Sequence, residues 1–362
     1  MTTEPSQTIE HQPWLDHLAQ KYPSAMRNAQ GRFEAYADAA AERNAAQSGP
    51  ALIERGNRCL IQLTGKDRAT WLHGLTTNHV TGLDVGVGNY AFICNVQGRI
   101  VADPVVIAMK DAIWLDLDVN AAEAALAHMR KVLIVEDVTI NDDFAATARM
   151  AVAGDQAAQL IESHGATHVS NLPHFGALTV SMGNREVTVV RNETLGLPMY
   201  DLFVPAEGAA GIWDKLCEQG AVPVGTDATE AHRILRGRPA FGREISDEYL
   251  PAETRQLDLA VSFNKGCYLG QEIVARMHAH DAVARLLIAI EARSDQPIAD
   301  NADIRAAGKV VGEVTSAWHD SNGGRVRALG YVKAAAANPG NEIEVCSGDD
   351  KWSAQILDWP PK

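Results

Sequence analysis

The C-terminal part of the chain constrains the fold most, because it carries a series of short β patterns and no long helical one. Roughly the last 80 residues contain ARLLIAIEA, KVVGEVTSAW, RVRALGYVKA, NEIEVCS and WSAQILDW, separated by turns such as DSNGG. Short apolar segments separated by polar turns are typical of strands in a small closed or packed sheet. We therefore predict that this part is all-β, as a small barrel or a sandwich.

The preceding part of the chain mixes strands and helices. NYAFICNVQGRIVADPVVIAMKDAIWLDLD predicts three strands with turns at QGR and MKDA, and AAEAALAHMRKVLI predicts a helix. Residues 148–222 show a similar order of strand, helix, strands and helix, which indicates a second, related layer. WLDHLAQKY and RFEAYADAAAERNAAQ near the N-terminus predict helices. Because strands and helices do not alternate regularly, the predicted fold class is α+β.

Length, charge and cysteine content limit the class of protein. The chain has 362 residues, more than one core usually holds, so two or three packed units are expected. A formal net charge of -14 without a lysine- or arginine-rich run disfavours nucleic acid as a partner. The sequence shows neither a secretion signal nor an apolar stretch long enough to span a membrane. Five scattered cysteines without a CxxC pair suit a reducing compartment, so we expect a cytoplasmic protein with free thiols.

The segment FNKGCYLGQEIV contains Cys267, the cysteine with the most suggestive neighbours. Lys265 brings a positive charge close to it and Gly266 leaves the sulfur uncrowded, so a reactive thiolate is one interpretation. The other is that Cys267 packs as a small apolar residue beside Phe263 and Tyr268. Residue types alone slightly favour packing and leave both interpretations open.

Two further patterns follow this cysteine. Gln271 and Glu272 come directly after a glycine and are typical of a helix start, where free amide groups can hold an anion or stabilise a thiolate. His278, His280 and Asp281 would form part of a zinc site only if the segment were extended, and no CxxC or HExxH pattern supports one. A hydrolase that uses Cys267 and His278 would need an Asp or Asn to orient the histidine, and none can be assigned. We therefore predict no metal site.

Asp103 is an acidic residue among apolar strand residues in VADPVV. It either forms a turn before Pro104 or is a carboxylate with a raised pKa, and residue types favour the turn. The three glycines of GLDVGVGNY lack the order of a dinucleotide-binding loop, so the sequence does not predict a nucleotide site there.

The octet KGCYLGQE resembles the Lys-Gly-Cys-Tyr/Phe-x-Gly-Gln-Glu signature of the YgfZ-type folate-binding proteins. LTGKDRATWLHGLTTNHVTGLDVGVGNYAFICNVQGRIVAD is similar to the opening of the related glycine cleavage T-protein (aminomethyltransferase) superfamily, and AHRILRGRPAFGREI, GKVVGEVTSAW and ALGYV resemble later motifs. The resemblance implies two mixed α/β lobes of T-protein type plus a C-terminal small β-barrel, arranged as a three-lobed ring around a folate site. The implied domains are a helical N-terminal extension at residues 1–50, an aminomethyltransferase-like folate-binding domain of two intertwined lobes at 51–280, and the barrel at 281–362.

The resemblance also implies roles for individual residues, with tetrahydrofolate as the cofactor. Cys267 and Asp103 are the expected catalytic residues, Asp103 because it falls where the T-protein has a carboxylate that acts on tetrahydrofolate. Asp201 falls near the pterin-binding acid, and Arg233 falls on an arginine of the folate-contacting helix, where it would face the negative glutamate tail. The signature residues expected to bind the cofactor are Lys265, Tyr268, Gln271 and Glu272.

Two departures from the T-protein pattern bear on the activity. Where the T-protein has Gly-Gly-Ile-x-Asp-Asp this chain has GRIVAD, and where it has Gly-Tyr-Thr-Gly-Glu-Asp-Gly this chain has ETLGLPM. The resemblance therefore favours a tetrahydrofolate-binding accessory protein that supports iron-sulfur cluster assembly or repair and affects tRNA modification through iron-sulfur enzymes. Its implied partners are folate and iron-sulfur assembly proteins or client iron-sulfur enzymes, with no direct nucleic acid and no membrane. A folate-dependent aminomethyltransferase or demethylase is the alternative.

Overall fold

The computed structural model describes residues 13–28, 31–142, 144–165, 168–280, 283–320 and 323–361. Its helices are α1 (Pro13–Lys21), α2 (Ala39–Ser48), α3 (Arg68–His73), α4 (Val119–Val132), α5 (Ala157–Ser163), α6 (Ala209–Glu218), α7 (Thr226–Leu235), α8 (Leu257–Ala260) and α9 (Gln271–His280). Its strands are β1 (Met26–Arg27), β2 (Phe33–Ala35), β3 (Ala51–Glu54), β4 (Arg58–Thr64), β5 (Gly88–Tyr90), β6 (Ile93–Cys94), β7 (Ile100–Ala102), β8 (Val105–Ala108), β9 (Ile113–Asp118), β10 (Thr139–Asn141), β11 (Thr147–Ala153), β12 (Ala177–Met182), β13 (Arg185–Arg191), β14 (Met199–Pro205), β15 (Val222–Val224), β16 (Arg285–Arg293), β17 (Asp303–Ala306), β18 (Lys309–Asp320), β19 (Arg325–Lys333), β20 (Glu342–Ser347) and β21 (Asp350–Ile356).

The first lobe is built on a five-stranded antiparallel sheet in the order β10-β4-β9-β8-β5. Helix α4 packs on this sheet and is capped at its N-terminus by Asp118, whose carboxylate accepts a hydrogen bond from the Asn120 amide at 2.9 Å. Four-residue spacing places Ala121, Ala125 and Met129 on one buried face of the helix. This face completes the core of the first lobe.

The second lobe is built on a six-stranded sheet in the order β12-β13-β14-β11-β3-β15. Strand β3 belongs to this sheet, although β4, which follows it after three residues, belongs to the first one. The chain therefore crosses between the lobes at residues 55–57, and side chains near this crossing lie between the two cores. Helix α1 also belongs to the second lobe, because Trp14 and Leu18 are buried in its core and Trp14 lies 5.8 Å from the Trp213 ring.

The C-terminal region forms a closed six-stranded barrel in the order β16-β19-β18-β17-β20-β21. Alternate residues of β16 (Ile288, Ile290 and Ala292) are buried in the barrel core, as the period of a strand requires. The predicted α+β fold of two mixed lobes and a C-terminal small barrel is confirmed.

Local details differ from the sequence predictions in three places. The stretch predicted as three strands forms five, because short loops divide it into β5, β6 and β7 before β8 and β9. RFEAY is not helical: its alternating buried residues, Phe33 and Ala35, form strand β2, and helix α2 starts only after it. Strand β17 was not predicted, because it has four residues and little apolar character.

The five cysteines are all free thiols. Cys267 is exposed and Cys217 is half-buried, whereas Cys59, Cys94 and Cys346 are buried. None of the helices in the described ranges has the length and apolar character needed to cross a membrane.

Candidate functional site

Two neighbouring cavities lie where the lobes meet the segment that follows α7. The inner chamber has a volume of about 90 Å³ and the outer chamber a volume of about 420 Å³. The inner chamber is lined by Arg55, Asn57, Arg58, Tyr90, Asp103, Val105, Asp118, His174, Glu193, Thr194, Leu195, Arg233, Arg238, Pro239, Ala240, Phe241, Gln256 and Leu259. The outer chamber is lined by Asn28, Arg32, Phe33, Glu34, Tyr36, Ile53, Glu54, Arg55, Asn57, Asp118, Leu195, Val224, Gly225, Thr226, Asp227, Thr229, Glu230, Arg233, Ala240, Phe241 and Arg243.

Asp103 lies in the wall of the inner chamber, between β7 and β8, and only 5% of its surface is exposed. Its Oδ2 accepts a hydrogen bond from the Tyr90 hydroxyl at 2.9 Å, whereas its buried Oδ1 has no hydrogen-bond partner in the described part of the chain. Burial raises the pKa of Asp103 to about 7, although the Arg58 charge and the Tyr90 hydrogen bond act in the opposite direction. Near neutral pH this carboxyl group therefore exists in both protonation states and can accept or release a proton.

Five charged side chains form a buried network at the crossing between the lobes. Asp116 pairs with Arg149 at 2.6 Å and with Arg58 at 3.2 Å, and Asp201 pairs with Arg55 at 3.2 Å. Burial alone would raise the pKa of Asp116, but the charges of Arg149 and Arg58 outweigh it and hold this pKa below its ordinary value. The network contains three arginines and two aspartates, so it carries one positive charge in excess beside the chambers.

Asp201, the predicted pterin-binding acid, lies inside this network and does not line either chamber. Its Oδ2 accepts a hydrogen bond from Asn192 at 2.6 Å, and its Oδ1 lies 3.2 Å from Arg55 and 3.8 Å from Arg149. Arg55 lines both chambers, so Asp201 is connected to the cavities by its ion pair with Arg55. Direct contact between Asp201 and a pterin stays a prediction.

Arg233, the predicted partner of the glutamate tail, lines both chambers, but its guanidinium group is fully used by the protein. It donates to Glu230 at 2.7 and 2.8 Å and to Glu244 at 3.0 Å. Its other hydrogen bonds go to the Arg238 carbonyl at 3.2 Å and to the Ser316 hydroxyl at 2.7 Å. Two carboxylates thus neutralise Arg233, and each of its five N–H groups has an acceptor.

Several residues that line the chambers were not predicted from the sequence. The N-terminal segment contributes Arg32 and Phe33 to the outer chamber. In the inner chamber, the His174 Nε2 accepts a hydrogen bond from the Glu193 amide at 3.2 Å, so the neutral ring carries its proton on Nδ1. Burial lowers the pKa of His174, which favours this neutral form. The residue after it, Phe175, has a φ of 62°, a conformation that is rare for a bulky residue and typical of constrained sites.

Lys265 is buried beneath the exposed Cys267 loop and holds it to the turn after α3. Its ammonium group donates to the carbonyl oxygens of His73, Thr76 and Asn78 at 2.6, 2.5 and 2.8 Å. Burial lowers the pKa of Lys265 to about 8. Because all three N–H groups have acceptors, Lys265 has no hydrogen bond left to offer the Cys267 thiolate.

The rest of the signature builds the start of helix α9. Gly270 has a φ of +83°, and a Cβ at this position would lie 2.5 Å from the carbonyl oxygen of Asn95 in the β6–β7 hairpin. This position therefore requires glycine. Glu272 is exposed and pairs with Arg276 at 2.6 Å on the same helix. Tyr268 is buried with its ring 5.2 Å from the Lys265 ammonium, and Gln271 is half-buried.

The structure does not bring the cysteine loop and the chambers together. None of the described residues 263–272 lines either chamber, so Lys265, Tyr268, Gln271 and Glu272 lie away from the cavity that contains Asp103. Their roles in cofactor binding stay predictions.

The segment that raised the possibility of a zinc site is helical, which removes the extended geometry that a zinc site required. His278 stacks on Phe263 at 4.0 Å, and Asp281 lies outside the described residues. Within the described ranges no group of three or more His, Cys, Asp or Glu side chains is arranged to hold a metal ion.

Comparison with known protein families identifies the architecture. A family model for the GCVT N-terminal domain matches residues 10–265, and a model for the glycine cleavage T-protein C-terminal barrel domain matches residues 285–361. The chain belongs to the glycine cleavage T-protein family. Its fold also matches a crystal structure of the glycine cleavage system aminomethyltransferase T from Bartonella henselae, with a TM-score of 0.87, 19% identity, and coverage of 96% of this chain and 97% of that one.

Two curated relatives give the range of similarity within this family. A chloroplastic protein of Arabidopsis thaliana, whose name classes it provisionally as a transferase, is 29% identical over 85% of this chain and 70% of its own length. An aminomethyltransferase of Herpetosiphon aurantiacus is 26% identical over 90% of each chain. The T-protein resemblance is thus confirmed at the level of the family.

Proposed function

We propose that this member of the T-protein family binds tetrahydrofolate in the inner and outer chambers, with Asp103 as the residue that handles a proton of the ligand. The observation that carries this proposal is the buried carboxyl group of Asp103. It lines the inner chamber, has a pKa of about 7, and has one oxygen without a partner in the described part of the chain. An acid–base group works best when its pKa lies near the working pH.

The residues of the chambers fit a reduced folate. The free Oδ1 of Asp103 can accept a hydrogen bond from a pterin N–H group, and the apolar side chains of Val105, Phe241 and Leu259 can contact the flat faces of the ring. The outer chamber, at about 420 Å³, has the size of a typical small-molecule site. When bound, tetrahydrofolate supplies the nitrogen atoms that carry one-carbon groups.

We further propose that the protein is of the YgfZ type and acts as an accessory to iron-sulfur enzymes. The support is the signature KGCYLGQE together with the form of its loop: Lys265 and Gly270 hold the loop in place, while Cys267 remains exposed. An exposed thiol on an anchored loop can react with another protein without rearrangement of the fold. Iron-sulfur assembly proteins or client iron-sulfur enzymes are the partners in this proposal.

The folate proposal is tested by equilibrium titration of tetrahydrofolate under anaerobic conditions. The wild-type protein should saturate at one ligand per chain, and Asp103→Asn should bind about tenfold more weakly, because one hydrogen bond to a charged group is lost. Asp111→Asn is the matched control, since Asp111 is exposed and does not line the chambers. Absence of saturable binding to the wild-type protein would contradict the proposal.

The role of the thiol is tested separately, by complementation of a deletion strain of the natural host. Cys267→Ala should fold and bind tetrahydrofolate like the wild-type protein but fail to restore the activity of iron-sulfur enzymes. Cys217→Ala, at a half-buried cysteine of the second lobe, should restore it fully. Full restoration by Cys267→Ala would show that the thiol is not needed for this function and would leave the folate proposal intact.

The second candidate function is a folate-dependent aminomethyltransferase or demethylase. The observation that favours it is again Asp103, because a carboxyl group with a pKa of about 7 can catalyse proton transfer at a folate nitrogen, and several relatives are named aminomethyltransferases. Incubation with tetrahydrofolate and N-methylated amino-acid donors should yield methylenetetrahydrofolate if this candidate is right. Its formation by the wild-type protein, and its loss in Asp103→Asn, would support the enzyme over the accessory protein.

A further inference from the structure

The arginines that line the two chambers differ in whether a carboxylate neutralises them. In the described part of the chain, Arg238 alone among them has no carboxylate within ion-pair distance. The other five are paired: Arg32 with Glu54, Arg55 with Asp201, Arg58 with Asp116, Arg233 with Glu230 and Glu244, and Arg243 with Asp300. Arg55 and Arg58 share two aspartates with Arg149, so the one charge in excess there is spread over a paired network. Arg238 has no such carboxylate among the described residues, so it is the lining arginine placed to pair with a negative charge of a ligand.

The side chain of Arg238 is built into the wall of the inner chamber. Its Nε is buried and has no hydrogen-bond partner among the described residues. The carboxylate that acts on the Arg238 charge is that of Glu193, which Arg191 already holds through two hydrogen bonds at 2.6 and 2.9 Å. A buried N–H group without an acceptor is costly, and a ligand that provides one removes that cost.

The backbone around Arg238 is fixed on both sides. The Arg238 amide donates to the Arg233 carbonyl at 2.7 Å, and the Arg238 carbonyl accepts from the Arg233 guanidinium at 3.2 Å. Its aliphatic stem passes the turn at Gly196, which has a φ of +75° and where a Cβ would lie 3.6 Å from the Arg238 Cγ. Arg233, saturated by its own partners, thus holds Arg238 in place.

We propose that Arg238 forms a carboxylate-binding subsite in the inner chamber, and that this arginine, in place of Arg233, pairs with the negative charge of the ligand. The planar guanidinium fork matches a carboxylate through two parallel hydrogen bonds. The inference rests on the proposed function, because tetrahydrofolate carries carboxylates on its glutamate tail. An N-methylated amino-acid donor would bring the same group, so the experiment has one arm for each source.

The test compares Arg238→Gln with Arg236→Gln. Arg236 is an exposed arginine two residues away that lines neither chamber, and it therefore serves as the matched control. Arg238→Gln removes no hydrogen bond that the side chain makes within the described protein, so this variant should fold, and equal thermal unfolding of the two variants checks that it does. Arg238→Lys, which keeps the charge, should recover part of the affinity.

The first arm measures the dissociation constants of tetrahydrofolate and of tetrahydropterin, which lacks the glutamate tail. If the tail supplies the carboxylate, Arg238→Gln should weaken tetrahydrofolate binding about 10- to 100-fold and leave tetrahydropterin binding unchanged. The second arm titrates N,N-dimethylglycine into protein saturated with tetrahydrofolate. A loss of affinity in that arm alone identifies the donor as the source of the carboxylate.

The proposal is overturned if Arg238→Gln matches Arg236→Gln in both arms while the wild-type protein binds tetrahydrofolate. That result would leave the folate site intact and remove Arg238 from it. Failure of the wild-type protein to bind either pterin contradicts the proposed function and this inference together, so the two failures can be told apart.

Discussion

Replacement of Asp103 by asparagine should change how the stability of the protein depends on pH. The ordinary pKa of this group is 3.8 and burial raises it to about 7 in the folded protein. Between these two values the folded state keeps a proton that the unfolded chain has lost, so the free energy of unfolding falls as the pH rises through this window. A difference of about 3 between the two pKa values corresponds to about 4 kcal/mol at pH 8.5.

Asp103→Asn removes this titration but puts an amide N–H group at the position of the unpartnered Oδ1, at a cost of about 1 to 3 kcal/mol at every pH. We therefore expect the variant to be less stable than the wild-type protein at pH 4 and more stable at pH 8.5. The gain at pH 8.5 should be about 1 to 3 kcal/mol, which is the 4 kcal/mol above less the cost of the amide.

Urea unfolding at steps of pH between 4 and 8.5 measures this difference, with Asp111→Asn as the exposed control. The difference between Asp103→Asn and the wild-type protein should change by about 4 kcal/mol across the range, and that of the control should stay constant. A difference for Asp103→Asn that does not vary with pH would refute the reasoning, because it would mean that Asp103 titrates near its ordinary pKa.

Three further predictions concern the cysteine loop. Lys265→Met should lower the free energy of unfolding by about 3 kcal/mol in urea titrations, because three carbonyl oxygens lose their donor; an unchanged midpoint would show that the ammonium does not anchor the loop. Gly270→Ala should destabilise by more than about 2 kcal/mol, whereas Gly308→Ala, with a φ of +76° but open space around it, should cost about 1 kcal/mol, and equal losses would mean that the contact with the hairpin is unimportant. Cys267 should react with a thiol reagent in the native protein, whereas Cys59 should react only after unfolding; slow modification of Cys267 would contradict its exposure.

The sequence predicts the fold well because its strongest signals are local. The short segments near the C-terminus form a barrel, as the strand patterns and turns indicate, and the order of elements in residues 148–222 is as predicted. Strands β3 and β15 show what a local pattern cannot supply. They pair in parallel although about 170 residues separate them, and only the assembled sheet defines that contact.

The character of Asp103 could not be predicted from its neighbours in the sequence. Residue types favoured a turn former before Pro104, whereas the side chain is buried and bonded to Tyr90, thirteen residues earlier. Its raised pKa follows from that burial, which depends on how the lobes and the segment after α7 close the chamber. The resemblance to the T-protein pointed to this residue, but the physical reason for its reactivity requires the structure.

Which cations have partners within the protein could not be predicted from the sequence. Arg233 and Lys265 were expected to act on a ligand and on the thiol, but each is saturated by acceptors within the protein. Arg238 could not be singled out among the neighbouring arginines, since nothing nearby in the sequence shows that it lacks a partner. Burial and ion pairing are properties of the folded chain. The sequence therefore shows which residues are charged, but not which of them lack a partner of opposite charge.

The central claim is that the chamber beside Asp103 holds a reduced folate, and a crystal structure of the protein with tetrahydrofolate tests it most directly. The account predicts ring density in the inner chamber, within hydrogen-bond distance of the Asp103 carboxylate, and no ligand at the Cys267 loop. Density for the pterin at the Cys267 loop, or an inner chamber without ligand at saturating tetrahydrofolate, would contradict it.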